Sequence, residues 1–213
     1  MTTAKRAAKP KVPSRRAFIV PPGPVADRMR IGLLGGSFNP AHEGHVHASE
    51  LALKQLGLDY VWWLVSPQNP LKPREGMAGL EKRVAAARKA ACHPRIVVSD
   101  FETALGTRYT ADTIAVLKQH FPKVHFVWLM GSDNLVQIPR WKRWRSIFRS
   151  LPVAVIAREG SVLKARTGVA ARAFAAAFRP PSPALAQATP PAWTMLDGRR
   201  NPQSATALRA RGA

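Results

Sequence analysis

Cysteine, acidic residues and long apolar runs are all scarce in this chain of 213 residues. The single cysteine, Cys92, cannot form a disulfide within the chain, which favours a reducing compartment, so we predict a cytoplasmic protein. We expect Cys92 to be a buried, inert thiol in an alanine-rich helix. No stretch approaches the roughly 18 apolar residues that a membrane-spanning helix needs, so the sequence predicts no membrane partner.

The acidic residues number 12 against 33 Lys and Arg, which gives a formal net charge of +21. Such an excess would suit a nucleic-acid-binding module, which is the alternative from another functional class. The excess is concentrated at the two ends, because residues 1–30 and residues 160–213 each carry eight basic residues and one Asp. The middle of the chain is ordinary for a protein that handles phosphates. We therefore expect no specific nucleic acid partner. The sequence is compatible with an oligomer.

The pattern of the chain predicts a basic arm followed by one domain. Residues 1–28 are rich in Lys, Arg, Ala and Pro without periodicity, which predicts disorder, and the domain is expected over residues 29–213. Apolar runs predict strands at 30–35, 60–66, 95–99, 124–130 and 153–157, with a weaker candidate at 193–196. Three- and four-residue spacing predicts helices at 43–56, 78–92, 110–120 and 141–149, and one helix followed by a linker over 160–192. This alternation predicts the α/β class, with a Rossmann-like doubly wound parallel sheet.

Residues 35–49, between the first strand and the first helix, read GGSFNPAHEGHVHAS. Zinc is one alternative for His42, His45 and His47, but the HExxH pattern needs histidines four apart, and no Cys or suitably placed carboxylate completes a tetrahedral site. Buried core histidines are another. A helix N-terminus attracts anions, and glycines allow a ligand to approach the backbone closely. His42 and His45 lie three apart, on one face of the helix, so we favour phosphate binding and predict no metal ligands among these residues.

Other polar loops follow the later strands, reading PQNPLKP, GSDN and REG. Parallel sheets bind ligands at the carboxyl ends of their strands, near the point where the strand order reverses. The four loops therefore predict one shared crevice.

The chain resembles the nucleotidylyltransferase superfamily and, within it, the bacterial nicotinate-nucleotide adenylyltransferases. Besides the first histidine motif, the resemblance rests on SPQNPLKP (66–73), TRYTADT (107–113), WLMGSDNL (128–135), RWKRW (140–144) and SATALR (204–209). It implies a single-domain enzyme of NAD biosynthesis. The phosphate of nicotinate mononucleotide would attack the α-phosphorus of ATP, giving deamido-NAD and pyrophosphate, with Mg²⁺ as the cofactor that accompanies ATP. Adenylyltransferases acting on nicotinamide mononucleotide or phosphopantetheine are the alternatives within the superfamily.

The resemblance also implies roles for individual residues. His42 and His45 would be the catalytic histidines that hold the ATP phosphates. The remaining ATP-binding positions would be Gly35, Gly36, Ser37, Phe38, Asp133, Ser204, Thr206 and Arg209. The positions implied for nicotinate mononucleotide are Lys72, Thr110 and Trp141, with the nicotinate ring stacked on the tryptophan.

The sequence departs from the family pattern at two of these motifs. Asn39 stands where many members of the superfamily have Asp, which leaves no carboxylate there. Ala205 replaces one serine of the late motif, which removes one hydroxyl contact.

Overall fold

The computed structural model describes residues 19–67 and 76–198. Four of the predicted ligand-binding residues, Lys72, Ser204, Thr206 and Arg209, lie outside these ranges. Their roles stay predictions.

The described residues form a six-stranded parallel sheet. The strands are β1 (Arg30–Gly36), β2 (Tyr60–Val65), β3 (Ile96–Ser99), β4 (His125–Gly131), β5 (Val153–Ile156) and β6 (Trp193–Leu196). Their order across the sheet is β3-β2-β1-β4-β5-β6, so the strand order reverses between β1 and β4. This arrangement confirms the predicted doubly wound α/β fold, and the weak candidate at 193–196 is the edge strand.

Eight α-helices are present in the described part of the chain. They are α1 (Glu43–Gln55), α2 (Leu80–Ala90), α3 (Phe101–Ala104), α4 (Thr110–His120), α5 (Ser132–Gln137), α6 (Trp144–Ser150), α7 (Val162–Arg166) and α8 (Val169–Ala173). Short 3-10 turns occupy Ile138–Arg140, Ala175–Ala177 and Pro183–Gln187. The prediction of one helix followed by a linker over 160–192 was wrong in its helix, because Gly168 separates α7 from α8 and the 3-10 turns follow them.

Helices cover both faces of the sheet, because alternate strand residues point to opposite sides. On one face, Leu34, Trp63 and Val127 pack against the apolar residues of α1 and α2. On the other face, Leu33 and Trp128 belong to the hydrophobic cluster that includes the buried apolar residues of α3 to α8. Both faces of each central strand are therefore dry, which explains why these strands read as continuous apolar runs.

The residues before β1 pack on the domain from residue 19 onward. Ile19 and Val25 contact the core, and the Arg28 amide donates a hydrogen bond of 2.9 Å to the Lys123 carbonyl. The chain is thus in contact with the domain before the predicted boundary at residue 28. Residues 1–18 lie outside the described ranges, and their predicted disorder stays a prediction.

The prediction of a buried cysteine was wrong. Helix α2 ends at Ala90, so Cys92 lies beyond it and is exposed. Its thiol donates to the Lys89 carbonyl at 3.1 Å. Of the helices in the described ranges, none has the length and apolarity to cross a membrane.

Candidate active site

A cavity of about 280 Å³ opens at the carboxyl edge of the sheet, beside the reversal of strand order between β1 and β4. Residues that follow strands on both sides of this reversal line the cavity, as a shared crevice requires. The lining residues are Gly35, Gly36, Ser37, Ser66, Glu102, Arg108, Tyr109, Thr110, Trp128, Asn134, Arg140, Trp141 and Lys142.

Five of the sequence-predicted site residues line this cavity, namely Gly35, Gly36, Ser37, Thr110 and Trp141. Phe38, His42 and His45 lie on the adjoining loop and first helical turn. Asp133 is in the first turn of α5 and is absent from the cavity wall.

Gly35 allows the end of β1 to approach the indole of Trp128 on the neighbouring strand. A Cβ at position 35 would lie 2.5 Å from Cη2 of Trp128, inside any real carbon contact. Because Trp128 is also part of the cavity wall, the missing side chain at Gly35 allows these two lining residues to pack directly against each other.

His42 and His45 cap the start of α1 by a reciprocal pair of hydrogen bonds. The Gly44 amide donates to Nδ1 of His42 at 3.1 Å, and the His42 amide donates to Nδ1 of His45 at 3.3 Å. An Nδ1 that accepts a hydrogen bond carries no hydrogen, so both neutral rings carry it on Nε2. The cap thus sets the tautomer, and it also occupies the Gly44 amide, one of the helix-end donors that an anion would otherwise meet.

His42 is held in its neutral state. Its side chain is buried, and this burial, with a smaller contribution from the positive charge of Arg158, lowers the pKa of His42 to about 4. At neutral pH the ring is therefore an Nε2–H donor rather than a cation. Such a donor can bind a phosphate oxygen without releasing or taking up a proton.

Phe38 places the loop after β1 under backbone strain. Its φ of 47° lies in the left-handed region, which costs a residue with a side chain about 1 to 3 kcal/mol. The ring is buried, stacked on Trp63 at a centroid distance of 5.0 Å and tilted against His45 at 4.7 Å. Trp63 in turn donates to Ser49 on α1 at 2.8 Å. This aromatic packing offsets the strain and connects the loop to the histidine.

Asp133 forms an ion pair with a residue of the loop after β5. Its Oδ1 lies 3.6 Å from Nε of Arg158, and a Cβ at Gly131 would lie only 2.3 Å from that same oxygen. Glycine at 131 is therefore needed for the carboxylate to fold back over the end of β4. The role predicted for Asp133, holding a ribose hydroxyl, stays a prediction.

The opposite side of the cavity is aromatic and cationic. Nζ of Lys142 lies 4.3 Å from the centre of the Tyr109 ring, and Trp141 lies beside them in the wall. Arg143 forms an ion pair with Asp112 in the first turn of α4. These contacts bring the start of α4 and the segment before α6 together.

The predicted start of α6 at Trp141 was wrong by three residues. Arg143 has a φ of 52°, in the left-handed region, so the helix cannot extend back through it and begins at Trp144. Trp141 instead ends a 3-10 turn, and its amide donates to the Ile138 carbonyl at 2.8 Å. Trp144 is buried, as expected of a core residue.

Helix α4 begins at Thr110, the residue predicted to meet the nicotinate carboxylate. Tyr109 is its N-cap, and no side chain of the described residues caps this end. An uncapped helix N-terminus presents backbone N–H donors and a partial positive charge to an anion.

Glu102 is a cavity residue that the sequence reasoning missed. It follows the end of β3 by three residues, and this position at the carboxyl edge was the available signal. Its carboxylate accepts a hydrogen bond of 3.0 Å from Thr113, whose hydroxyl lies 2.9 Å from that of Thr107. Burial raises the pKa of Glu102 to about 7, although the Thr113 hydrogen bond acts in the other direction.

Metal ligands are not clustered in the described ranges. Over residues 19–67 and 76–198, no group of three or more His, Cys, Asp or Glu side chains is arranged to hold a metal ion.

The sequence matches known proteins along most of its length. Residues 33–211 match the family model of the cytidylyltransferase-like proteins. A probable nicotinate-nucleotide adenylyltransferase of Parvibaculum lavamentivorans is 55% identical, over 86% of this chain and 92% of the relative. Proteins of the same name from a Caulobacter species and from Methylorubrum extorquens are 54% and 53% identical over 86% of this chain, which covers 98% and 100% of them.

Solved structures share the fold. The Plasmodium falciparum nicotinic acid mononucleotide adenylyltransferase complexed with NaAD superposes with a TM-score of 0.65 at 15% identity, over 86% of this chain and 83% of that one. The same enzyme complexed with APC gives 0.61 at 14% identity, over 84% and 82%. The match to the family model, together with the parallel sheet, defines a cytidylyltransferase-like α/β protein. With relatives above 50% identity over nearly their whole length, the chain belongs to the nicotinate-nucleotide adenylyltransferase family.

Proposed function

We propose that this protein transfers the adenylyl group of ATP to nicotinate mononucleotide, as the names of its relatives indicate. An oxygen of the mononucleotide phosphate attacks the α-phosphorus of ATP. The bond from that phosphorus to the oxygen bridging to the β-phosphorus breaks, and pyrophosphate leaves with the bonding electrons. The products are deamido-NAD and pyrophosphate.

One observation carries this assignment. The cavity joins the glycine loop, which adjoins two Nε2–H histidines, to an aromatic, cationic wall at the uncapped start of α4. The first part suits a triphosphate whose negative charge increases in the transition state. The second suits a flat ring that bears a carboxylate.

The catalytic work assigned to the protein is positioning and electrostatic stabilisation, as in other phosphoryl-group transfers. His42 and His45 hold phosphate oxygens by their Nε2–H groups, while Ser37 and the neighbouring backbone line the nucleotide. Trp141 stacks on the nicotinate ring, and the N-terminus of α4 at Thr110 faces its carboxylate.

Magnesium enters this proposal with the substrate. Mg²⁺ is commonly bound through substrate phosphates, one or two carboxylates and water, so it needs no protein cage. When bound, it neutralises triphosphate charge.

The acid substrate should be preferred to the amide. An amide would present its NH₂ to the N–H donors at the start of α4, which leaves buried polar groups unpaired at about 1 to 3 kcal/mol each. Trp141 cannot add a backbone donor, because its amide is used by Ile138. We expect kcat/KM for nicotinate mononucleotide to exceed that for nicotinamide mononucleotide by at least about tenfold.

The test is pyrophosphate release by the purified protein with magnesium ATP and each candidate acceptor. Nicotinate mononucleotide should support rapid release, with deamido-NAD identified by mass. Preference for nicotinamide mononucleotide or phosphopantetheine would reassign the substrate. No turnover with any acceptor, together with salt-sensitive binding of nucleic acid, would favour the nucleic-acid-binding module instead.

We also place the reaction in the cytoplasm, where a reducing environment suits the exposed thiol of Cys92.

A further inference from the structure

Arg83 is a buried arginine of α2 that is absent from the cavity wall. Its Nη1 donates to the carbonyl oxygens of Ser37 at 2.7 Å and Ser66 at 2.8 Å. Nη2 donates to the Pro67 carbonyl at 3.0 Å, and Nε donates to the Ala78 carbonyl at 2.9 Å. One guanidinium thus joins the loop after β1, the loop after β2 and the chain entering α2.

Asn39 makes a second connection between the loop after β1 and the chain entering α2. Its side-chain amide donates to the Gly76 carbonyl at 3.1 Å and accepts from the Ala78 amide at 3.3 Å. Position 39, which departs from the acidic residue of the family pattern, therefore contacts the backbone that leads into α2.

The hydrogen bond to Ser37 has a consequence for the loop beside the cavity. In a planar trans peptide the C=O and the following N–H point in opposite directions. When Arg83 holds the Ser37 carbonyl, it also fixes the orientation of the Phe38 amide. Phe38 is the residue with the strained φ of 47°, and its ring contacts His45. Backbone strain of this kind persists only where the surroundings over-determine it.

We propose that Arg83 is a positioning residue of this enzyme, which holds the loop after β1 in its ATP-binding shape through the Ser37 carbonyl. This inference rests on the proposed function. It predicts that ATP binding depends on the fork of N–H donors and not on the positive charge alone. One ammonium group cannot reproduce the fork, which reaches four carbonyls on three segments.

The test compares Arg83→Lys and Arg83→Gln with Arg88→Lys, an exposed arginine on the same helix. Titration calorimetry with magnesium ATP, in the absence of mononucleotide, gives both the Kd and the number of sites per chain. Circular dichroism reports folding. Loss of folded protein lowers the number of sites, whereas a displaced loop raises the Kd of every folded molecule.

We expect Arg83→Lys and Arg83→Gln to raise the Kd for ATP at least about tenfold with an unchanged number of sites, because a loop that is no longer held in its binding shape must be ordered when ATP binds. Arg88→Lys should match the unaltered protein. An unchanged Kd in the Arg83 variants would overturn the inference, as would failure of both variants to fold, which would make Arg83 purely structural. Absence of pyrophosphate release by the unaltered protein would instead overturn the proposed function, and with it the role of Arg83 in that reaction.

Discussion

The two sides of the cavity are supported in different ways. The glycine-loop wall (Gly35, Gly36, Ser37) is supported from behind by Arg83 and by the stacked rings of Phe38 and Trp63, all at most 2% exposed. The aromatic wall (Tyr109, Thr110, Trp141, Lys142) is held by Lys142 over Tyr109 and by the ion pair of Arg143 with Asp112, and both basic residues are exposed.

This difference matches the two tasks that we assign to the walls. Buried, multiply bonded groups hold their geometry closely, which transition-state stabilisation of phosphates requires. Contacts made by exposed basic side chains contribute little and adapt easily, which is sufficient for a ring that must only be recognised. Substitutions behind the glycine-loop wall should therefore affect ATP binding and turnover, and those around the aromatic wall should affect affinity for the mononucleotide.

The largest effect is expected at the histidine beside the glycine-loop wall. His45→Ala should lower kcat by about 10² or more, because one transition-state hydrogen-bond donor is commonly worth that factor. KM for the mononucleotide should change little. Initial rates of pyrophosphate release measure both, with His47→Ala as the control two residues further along α1. Near-normal turnover combined with the loss of a stoichiometric metal would support the zinc alternative.

Glu102, in the cavity wall, should make the stability of the protein depend on pH. Its folded-state pKa, about 7, is raised above the ordinary value of 4.5, so its favourable contribution is complete below pH 4.5 and is lost as the pH rises through 7. Glu102→Gln resembles the protonated side chain and should remove this dependence. Between pH 5 and pH 8, the free energy of unfolding should fall by about 2 kcal/mol more in the unaltered protein than in the variant.

Urea unfolding at the two pH values measures this difference, and Glu81→Gln, at an exposed position on α2, is the control. Arg108, Arg140 and Lys142 line the same cavity as Glu102. Parallel pH profiles for the unaltered protein and Glu102→Gln would mean that these cations keep the carboxylate ionised.

A smaller effect is expected at the aromatic wall. Trp141→Ala should raise KM for nicotinate mononucleotide by about tenfold and leave KM for ATP unchanged, because stacking of a base on an aromatic side chain contributes about 1 to 3 kcal/mol. Trp141→Phe should recover most of the affinity. An equal rise in both KM values would show that the two walls are not independent.

The smallest effect is expected at the ion pair of Arg143 with Asp112, of which the arginine is exposed. Arg143→Ala should raise KM for the mononucleotide less than about threefold, since ion pairs with a solvent-exposed partner contribute at most about 1 kcal/mol. Arg149→Ala, at an exposed position on α6, serves as the control. A tenfold rise in this KM for Arg143→Ala, with none for Arg149→Ala, would show that the aromatic wall is held as rigidly as the glycine-loop wall.

The two walls also differ in how far the sequence predicted them. Strands buried on both faces give long apolar runs, so the sheet and the glycine loop after β1 could be placed from the pattern alone. The start of α6 could not, because the left-handed backbone at Arg143 has no periodic signature. Arg83 was missed for a similar reason: an arginine in a helical pattern normally predicts a solvated face, and its carbonyl partners belong to loops that become neighbours only in the fold.

The contact between Gly35 and Trp128 sets a condition on how this family can diverge. A methyl group at position 35 would overlap the indole, so a change there is tolerated only after the residue at 128 has become smaller. The order of substitutions is thus constrained. A smaller residue must replace Trp128 first, and Gly35 can then be replaced. Among distant relatives, positions 35 and 128 should therefore vary together rather than singly.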